Sequence, residues 1–379
     1  MDLPRLRNPP LGKLCHCGQK DYECVCEGCS LEGECVGHCD GKRRDCEQRS
    51  CFQQCNDCGG SAEIDRTDPD IEVTNVPAIC AKSPMRDLYL SQVKKDRYKF
   101  KKRSRLEFNA KAITITTGSS GDHTYDVHPP ETEVVAVNLR HVWSGNGWYS
   151  RDLKDYLKLP KGCKLMLLTA MQDHYLEIAW NKEVYYEDFE SVGIDFWQAL
   201  DFSAYPHMSH FNNLWIDYRT MWVIEQSKAH FSGMPCQAWD LTDRGNFGTY
   251  VNMSKRVPNI IQNVQGLNLQ TKHGQQVFKK FFARLKRWDE LVPVKLNYFF
   301  IGAVSRTLIA NIARTLPTHD LYFLSFAPWI TAHKGAEFTL KGQRAASKLP
   351  KPELLLRNQR HYAKLVADTV AVARRETSH

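Results

Sequence analysis

The sequence predicts an α/β protein built from a (β/α)8 TIM-like barrel that is preceded by a small Cys-rich metal-binding segment. From Ala110 onward, eight short apolar runs with β-branched residues alternate with longer amphipathic segments, and eight parallel strands close a barrel of this kind. Before the barrel, eleven of the fourteen cysteines lie between Cys15 and Cys58. We therefore expect a metal-binding domain at 1–60, a basic linker at 61–109 and a barrel domain with a C-terminal helix at 110–379.

Apolar runs rich in β-branched residues predict the strands, and amphipathic periodicity predicts the helices. The predicted strands are Ala112–Thr117, Val134–Leu139, Leu165–Thr169, Ala199–Phe202, Pro235–Trp239, Asn259–Val264, Leu296–Ile301 and Leu321–Phe326. The predicted helices are Arg151–Leu157, Leu176–Glu190, Phe211–His230, Gln275–Trp288, Ser305–Leu316 and Pro352–Arg375. An open, doubly wound sheet is the alternative, because alternation of strands and helices does not by itself prove closure.

The cysteine-rich segment holds too few other apolar residues to form a hydrophobic core, so its order must come from bonds to sulfur. No apolar leader follows Met1, and we therefore expect a reducing, cytoplasmic environment, which favours thiolate ligands over disulfides. Close pairs such as Cys15 and Cys17 can present two sulfurs to one tetrahedral ion. Metal binding is therefore the first prediction, and disulfide bonding is the alternative.

The candidate metal ligands combine eleven thiolates with one imidazole. They are Cys15, Cys17, Cys24, Cys26, Cys29, Cys35, Cys39, Cys46, Cys51, Cys55, Cys58 and His38. Twelve ligands suffice for three tetrahedral zinc ions, whereas eight of the thiolates would hold two iron–sulfur clusters. All-sulfur zinc sites are closed, which favours a structural role. The C-x3-C-x2-C spacing of Cys51, Cys55 and Cys58 also resembles that of radical S-adenosylmethionine enzymes, which is a further alternative.

The formal net charge is +8, and one stretch from residue 94 to residue 105 concentrates eight positive charges against one negative charge. Tyr98 and Phe100 are interleaved with these charges, and a basic run with aromatic residues favours phosphates and exposed bases. A solvated linker is the alternative. No apolar run is long enough to span a membrane, so no membrane partner is expected. The candidate nucleic-acid-binding residues are Lys94, Lys95, Arg97, Lys99, Lys101, Lys102, Arg103 and Arg105.

In a (β/α) barrel, chemistry is expected where each strand meets the loop that follows it. Asp201 and Asp240 follow two successive predicted strands, and paired carboxylates can divide into an acid and a base or nucleophile. Each aspartate could instead be a helix cap or a turn former. The candidate substrate-binding residues at other strand ends are Ser203, Gln265, Gly266, Gly302, Ser305 and Arg306.

The order of Asp201, Gln265-Gly266 and Gly302-Ala303-Val304 resembles the barrel of the tRNA-guanine transglycosylases and their DNA-acting 7-deazaguanine relatives. This resemblance implies an aspartate nucleophile at a sugar carbon, a second aspartate as base, and a Gln-Gly segment that holds the base. The family's zinc spacing, C-x-C-x2-C, occurs at residues 24–29. Here it precedes the barrel instead of following the catalytic strands, and the family's Asp-Ser-Gly reads Asp-Phe-Ser at residues 201–203.

A second resemblance covers more of the chain. Residues 172–302 resemble an uncharacterised barrel-like family found in phages and mobile elements, notably in Asp173-His174-Tyr175, in residues 201–205 and in residues 235–239. This resemblance implies no activity.

Taken together, these residues favour a nucleic-acid base-modifying enzyme, with base exchange on DNA or RNA as the specific hypothesis. Asp201 and Asp240 would act on a nucleotide turned out of its stack. The alternatives are a non-catalytic, metal-stabilised binding subunit that joins a protein partner in a larger phage or defence assembly, and a radical iron–sulfur enzyme.

Overall fold

The computed structural model describes the chain from residue 100 onward, with gaps. The described residues are 100–117, 127–170, 176–202, 219–233, 251–264, 272–339 and 344–377, without 177, 181, 183–187, 226, 228, 252 and 293. The cysteine-rich segment lies outside them, as do residues 61–99 of the predicted linker.

The chain divides into two compact units. One unit comprises residues 1–101, 202–226 and 234–253, and the other comprises residues 102–201, 227–233 and 254–379. The second unit contains every strand described below and is called the barrel unit. The chain therefore leaves the barrel unit twice, after Asp201 and after Gly233.

Eight parallel strands follow one another in the predicted order. They are β1 (Ala112–Thr116), β2 (Val134–Asn138), β3 (Lys164–Leu168), β4 (Phe196–Trp197), β5 (Ser232–Gly233), β6 (Asn259–Asn263), β7 (Asn297–Ile301) and β8 (Asp320–Ser325). The predicted position of β4 was wrong: the pairing residues precede the apolar run Ala199–Phe202, which is buried in a loop. Two residues are too few to show strand periodicity in a sequence. The predicted fifth strand, Pro235–Trp239, lies outside the described residues.

The strands pair in the order β4-β3-β2-β1-β8-β7-β6-β5. The two terminal strands of this series are also joined, since Gln198 bridges Phe231 in parallel orientation. The His230 N–H donates to the Trp197 carbonyl at 3.0 Å, and the Ala199 N–H donates to the Phe231 carbonyl at 3.1 Å. These contacts join residues beside the two terminal strands, and the mixed α/β arrangement is consistent with a TIM-like fold.

One face of the sheet carries a single hydrophobic cluster that receives side chains from seven of the eight strands and from Phe231, which directly precedes β5. We call this face the inner face. Alternate residues contribute, as the two-residue period of a strand requires. The cluster contains Ile113, Ile115, Val134, Ala136, Met166, Leu168, Phe231, Ile261, Phe299, Ile301, Tyr322 and Leu324, with Phe196 packed against it. The central strands β2 and β7 are buried along their whole length, as expected for parallel strands covered on both faces.

Residues 102–109, which we name the floor segment, close the amino end of the inner face. The sequence assigned them to the linker, but they belong to the barrel unit. The ring of Phe108 makes edge contacts with Phe196, Phe299 and Tyr322 at centroid distances of 5.7, 6.4 and 5.6 Å. Leu106 joins the same cluster. The floor segment is thus part of the hydrophobic core.

Two buried asparagines fasten the floor segment to the strands. The Leu106 N–H donates to Oδ1 of Asn259 at 3.0 Å, and Nδ2 of Asn297 donates to the Leu106 carbonyl at 2.6 Å. Nδ2 of Asn259 donates to the Ser104 and His230 carbonyls, both at 2.9 Å. Neither asparagine is exposed. Their amides therefore satisfy backbone groups that would otherwise be buried without partners.

Six helices have described bounds. They are α1 (Leu153–Tyr156), α2 (Asp188–Ser191), α3 (Lys272–Leu291), α4 (Arg306–Thr315), α5 (Ala327–His333) and α6 (Lys351–Thr377). Residues 219–225 are also helical. The sequence missed α5 and the antiparallel pair β9 (Ala336–Phe338) and β10 (Arg344–Ala346). Within the described ranges, no helix combines the length and the apolar character that a membrane crossing requires.

The C-terminal helix α6 is anchored by polar contacts to the segments that surround it. The Tyr362 hydroxyl donates to the Ala303 carbonyl at 2.9 Å, and Arg314 pairs with Glu376 at 2.7 Å. The Phe338 N–H donates to Oδ1 of the buried Asn358 at 2.7 Å. The predicted helix at Pro352–Arg375 is confirmed with slightly wider bounds.

His128 adjoins α6 and is half-buried, with no charged partner among its described contacts. Burial lowers the pKa of His128 from 6.5 to about 4. Nδ1 of His128 lies 3.5 Å from Nε2 of Gln359, and that amide nitrogen also donates to the Val127 carbonyl at 3.2 Å. The neutral imidazole is therefore the form that the folded chain accommodates.

We expect the free energy of unfolding to fall as the pH is lowered from about 6.5 to about 4. The unfolded chain takes up the proton on His128 first, because the folded-state pKa is the lower one. One such histidine costs at most about 1.4 kcal/mol per pH unit in this window. Urea unfolding at a series of pH values should show a shallower dependence for His128→Gln. Equal slopes for His128→Gln and the wild-type protein would contradict the assignment.

Candidate functional site

A row of side chains crosses the inner face at the carboxyl end of the sheet. Asn138 pairs with Leu168, Thr117 follows the residue that pairs with Val137, and Gln198 follows the residue that pairs with Leu167. By alternation with the cluster residues of their strands, all of these side chains belong to the inner face. The row therefore reads Thr117, Asn138, Leu168, Gln198 across four adjacent strands, directly above the hydrophobic cluster.

Asp201 is held in place by this row. Nε2 of Gln198 donates to Oδ2 of Asp201 at 3.0 Å, and Oε1 of Gln198 accepts from the Thr169 N–H at 3.0 Å. The Thr169 hydroxyl donates to the Ala199 carbonyl at 2.7 Å. Gln198 is buried, so its amide cannot rotate freely, and Asp201 itself is half-buried. A carboxylate oriented in this way suits a nucleophile or a general base.

Two other oxygen atoms of the row have no hydrogen-bond partner among the described residues. Oδ1 of Asn138 and Oγ1 of Thr117 are both buried and unpartnered. Asn138 precedes a short 3-10 turn (Leu139–His141), but its side chain does not cap that turn. Buried polar atoms in folded proteins nearly always have partners, so this end of the inner face carries unused hydrogen-bonding capacity.

The turn after β7 has the local structure that its glycine and serine favour. Gly302 has φ +91°, a value that glycine adopts without strain, and its N–H donates to the Leu324 carbonyl at 2.8 Å. Oγ of Ser305 accepts from the Leu308 N–H at 3.2 Å and caps α4. Arg306 is exposed and lines a groove with Arg314 and Asp368 of α6. Ser305 and Arg306 thus have structural or surface roles in the described contacts.

Several predicted site residues fall outside the described part of the chain. Asp240, Ser203, Gln265 and Gly266 are among them. So are the twelve candidate metal ligands and the basic residues Lys94, Lys95, Arg97 and Lys99. Their roles stay predictions. Across the described ranges, no group of three or more His, Cys, Asp or Glu side chains has the arrangement of a metal site.

The last four basic residues of the run divide into two pairs with different environments. Lys101 and Lys102 are exposed. Arg103 donates to the Ala229 carbonyl at 3.1 Å and to the Ser227 carbonyl. Arg105 forms an ion pair with Asp320 and donates to Oδ1 of Asn297 at 3.2 Å. The contacts of both arginines therefore secure the floor segment, whereas the lysines are free to meet an external anion.

Gln198, Thr169 and Asn138 were missed as site residues by the sequence analysis. Asn138 had a visible signal, because it is the polar residue in the otherwise apolar run Val134–Leu139. Gln198 had no such signal in the sequence, since its hydrogen bond to Asp201 depends on where β4 ends. The sequence placed that strand three residues too late.

Comparison with known proteins adds no relative: no protein-family model matches the chain, and no curated protein matches it. The resemblances drawn from short motifs therefore enter only as proposals.

We expect Arg105→Ala to lower the free energy of unfolding by about 1.5–3 kcal/mol, because it leaves Asp320 and Asn297 without this donor in a partly buried setting. The double variant Lys101→Ala/Lys102→Ala should change stability by no more than about 0.5 kcal/mol per site. If nucleic acid binds the run, this double variant should also reduce the salt dependence of binding, by about one counterion per lysine. Urea unfolding and binding titrations at several salt concentrations measure both effects. An unchanged stability of Arg105→Ala would refute its structural role.

Proposed function

We propose that the protein is a nucleic-acid base-modifying enzyme in which Asp201 is the catalytic carboxylate, and that the reaction is base exchange on DNA or RNA. The observation that carries the proposal is the hydrogen bond from Gln198 to Asp201 at the carboxyl end of the parallel sheet. In TIM-like folds this end of the strands bears the reacting groups. The finer assignment to a closed (β/α)8 barrel belongs to the same proposal and is supported by the backbone bonds between β4 and β5.

The proposed chemistry is a double displacement at a sugar carbon. The carboxylate of Asp201 bonds to that carbon as the bond to the departing base breaks, and the departing base takes up a proton. The incoming base, after losing a proton to a general base, then attacks the same carbon and restores the carboxylate. A carboxylate can stabilise an oxocarbenium-like centre and trap it, as it does in retaining glycosidases. Asp240 is the proposed proton carrier on sequence grounds alone.

Gln198 has a positioning role in this scheme. Its amide joins the Thr169 N–H to Asp201, so the carboxylate oxygen is fixed relative to β3 and β4. Fixed orientation of the attacking group is a large part of catalytic power, because it removes rotational freedom before the reaction.

We expect Asp201→Asn to lower base exchange by at least about a hundredfold, because an amide is a poor nucleophile and base at neutral pH. The assay is incorporation of a labelled free base into DNA and RNA. Binding of the polynucleotide should persist, since the change removes no phosphate-binding cation.

Asp195 offers a matched control beside the same strand. It directly precedes β4 and accepts from the Leu165 N–H at 2.8 Å while pairing with Lys154 at 2.7 Å. Asp195→Asn should therefore leave exchange close to wild type. If Asp201→Asn exchanges bases as fast as Asp195→Asn and the wild-type protein, Asp201 is not part of the mechanism. If the wild-type protein binds polynucleotide but exchanges no base, a non-catalytic binding subunit is favoured.

For the cysteine-rich segment, we propose structural zinc ions, with iron–sulfur clusters as the alternative. The support is the number and spacing of the thiolates. Elemental analysis of the purified full-length protein should give about two to three zinc ions per chain, because each tetrahedral zinc ion uses four of the twelve candidate ligands. Iron and acid-labile sulfide in place of zinc, with a brown colour, would instead support clusters and revive the radical mechanism.

A further inference from the structure

Asn138 presents an unpaired acceptor at the carboxyl end of the inner face. Its side chain belongs to the inner face, and the residue is 4% exposed. Oδ1 has no hydrogen-bond partner, and the side chain makes no capping bond to the turn that follows. A buried acceptor without a hydrogen-bond partner lowers stability, so this oxygen atom is a cost to the fold among the described residues.

Asn259 shows what a structural asparagine looks like in the same sheet. It also lies on the inner face, but at the amino end, and it is fully buried. Its Oδ1 accepts from the Leu106 N–H and from Nδ2 of Asn297, both at 3.0 Å, and its Nδ2 donates to two backbone carbonyls. Both residues are asparagines on the inner face. Oδ1 of Asn259 accepts two hydrogen bonds, whereas Oδ1 of Asn138 has no hydrogen-bond partner among the described residues.

The neighbours of Asn138 indicate the chemistry of a missing partner. On one side lies Thr117, whose buried Oγ1 is also unpartnered. On the other side lie Leu168 and then Gln198, which orients the Asp201 carboxylate. The row therefore offers an unpaired amide oxygen, a hydroxyl that can accept or donate, one apolar side chain and a carboxylate. The carboxylate disfavours anions, and the unpaired amide oxygen suits a neutral planar ring that carries an N–H donor along one edge.

We propose that Asn138, assisted by Thr117, reads the edge of a nucleobase by accepting one of its N–H donors while the sugar carbon lies toward Asp201. This inference rests on the proposed function, since it places the base beside the catalytic carboxylate. It assigns Asn138 as a specificity-determining residue. A ring that lacks an N–H donor on that edge leaves Oδ1 desolvated and unpaired, and sites of this kind reject such analogues strongly.

The first test measures binding of free nucleobases to the full-length protein. Adenine, cytosine, guanine and uracil are titrated by calorimetry alongside forms that lack the edge donor, in which the exocyclic amine is dimethylated (adenine, cytosine, guanine) or the ring N3 is methylated (uracil). At least one unmodified base should bind at least about tenfold more tightly than its methylated form. Asn138→Val should abolish this discrimination, whereas Asp201→Asn should retain it.

The second test measures stability in the absence of any base. Valine suits a strand and removes the unpaired amide, so Asn138→Val should raise Tm by about 2–4 °C. The matched control Asn259→Val breaks four hydrogen bonds and should lower Tm by about 4 °C or more. A gain in stability with a loss of discrimination is the pattern of a residue kept for a ligand.

The outcomes separate this inference from the proposed function. If Asn138→Val lowers Tm as the control does, or leaves base discrimination unchanged, Asn138 is structural or holds a water molecule and the inference is overturned. If no free base binds the wild-type protein, the assigned ligand class is overturned. If base discrimination depends on Asn138 but Asp201→Asn still exchanges bases, the reading of the row stands and the proposed mechanism fails.

Discussion

The hydrophobic cluster on the inner face is the constraint on which the rest of the barrel unit depends. A parallel sheet buries both faces, and here one face is filled largely by the side chains of its own strands. Because the cluster includes Phe196 of β4 and Phe231 just before β5, the two short strands lie within reach of the same side chains. The backbone hydrogen bonds at residues 197–199 and 230–231 are consistent with that proximity.

The two ends of the inner face differ in how their polar groups are hydrogen-bonded. At the amino end, the floor segment covers the cluster, and Asn259 and Asn297 satisfy the backbone groups that it buries. At the carboxyl end, Gln198 is engaged with Asp201 and Thr169, while Asn138 and Thr117 keep unpaired oxygens. The polar groups at the amino end are therefore satisfied within the fold, whereas two oxygen atoms at the carboxyl end have no hydrogen-bond partner among the described residues.

Much of the strand order could be read from the sequence, because buried parallel strands are apolar runs bounded by polar residues. The run at residues 134–139 and the run at residues 321–326 are examples. The position of β4 could not be read, since its two residues precede a longer apolar run that forms a buried loop. Asp201 could be chosen as a strand-end carboxylate, but Gln198 could not, because its contact depends on the true end of that strand. Arg105 was a candidate nucleic-acid-binding residue because it lies in a basic run. Its ion pair with Asp320 could not be read from the sequence, since a charged residue type does not reveal its partner in the fold.

The connectivity of the barrel unit has a consequence for folding kinetics. The chain departs from it after Asp201 and after Gly233 and returns after each departure. Closing a loop costs entropy that grows only slowly with its length, so these departures should delay the pairing of β5 and β6 with their neighbours more than they weaken it.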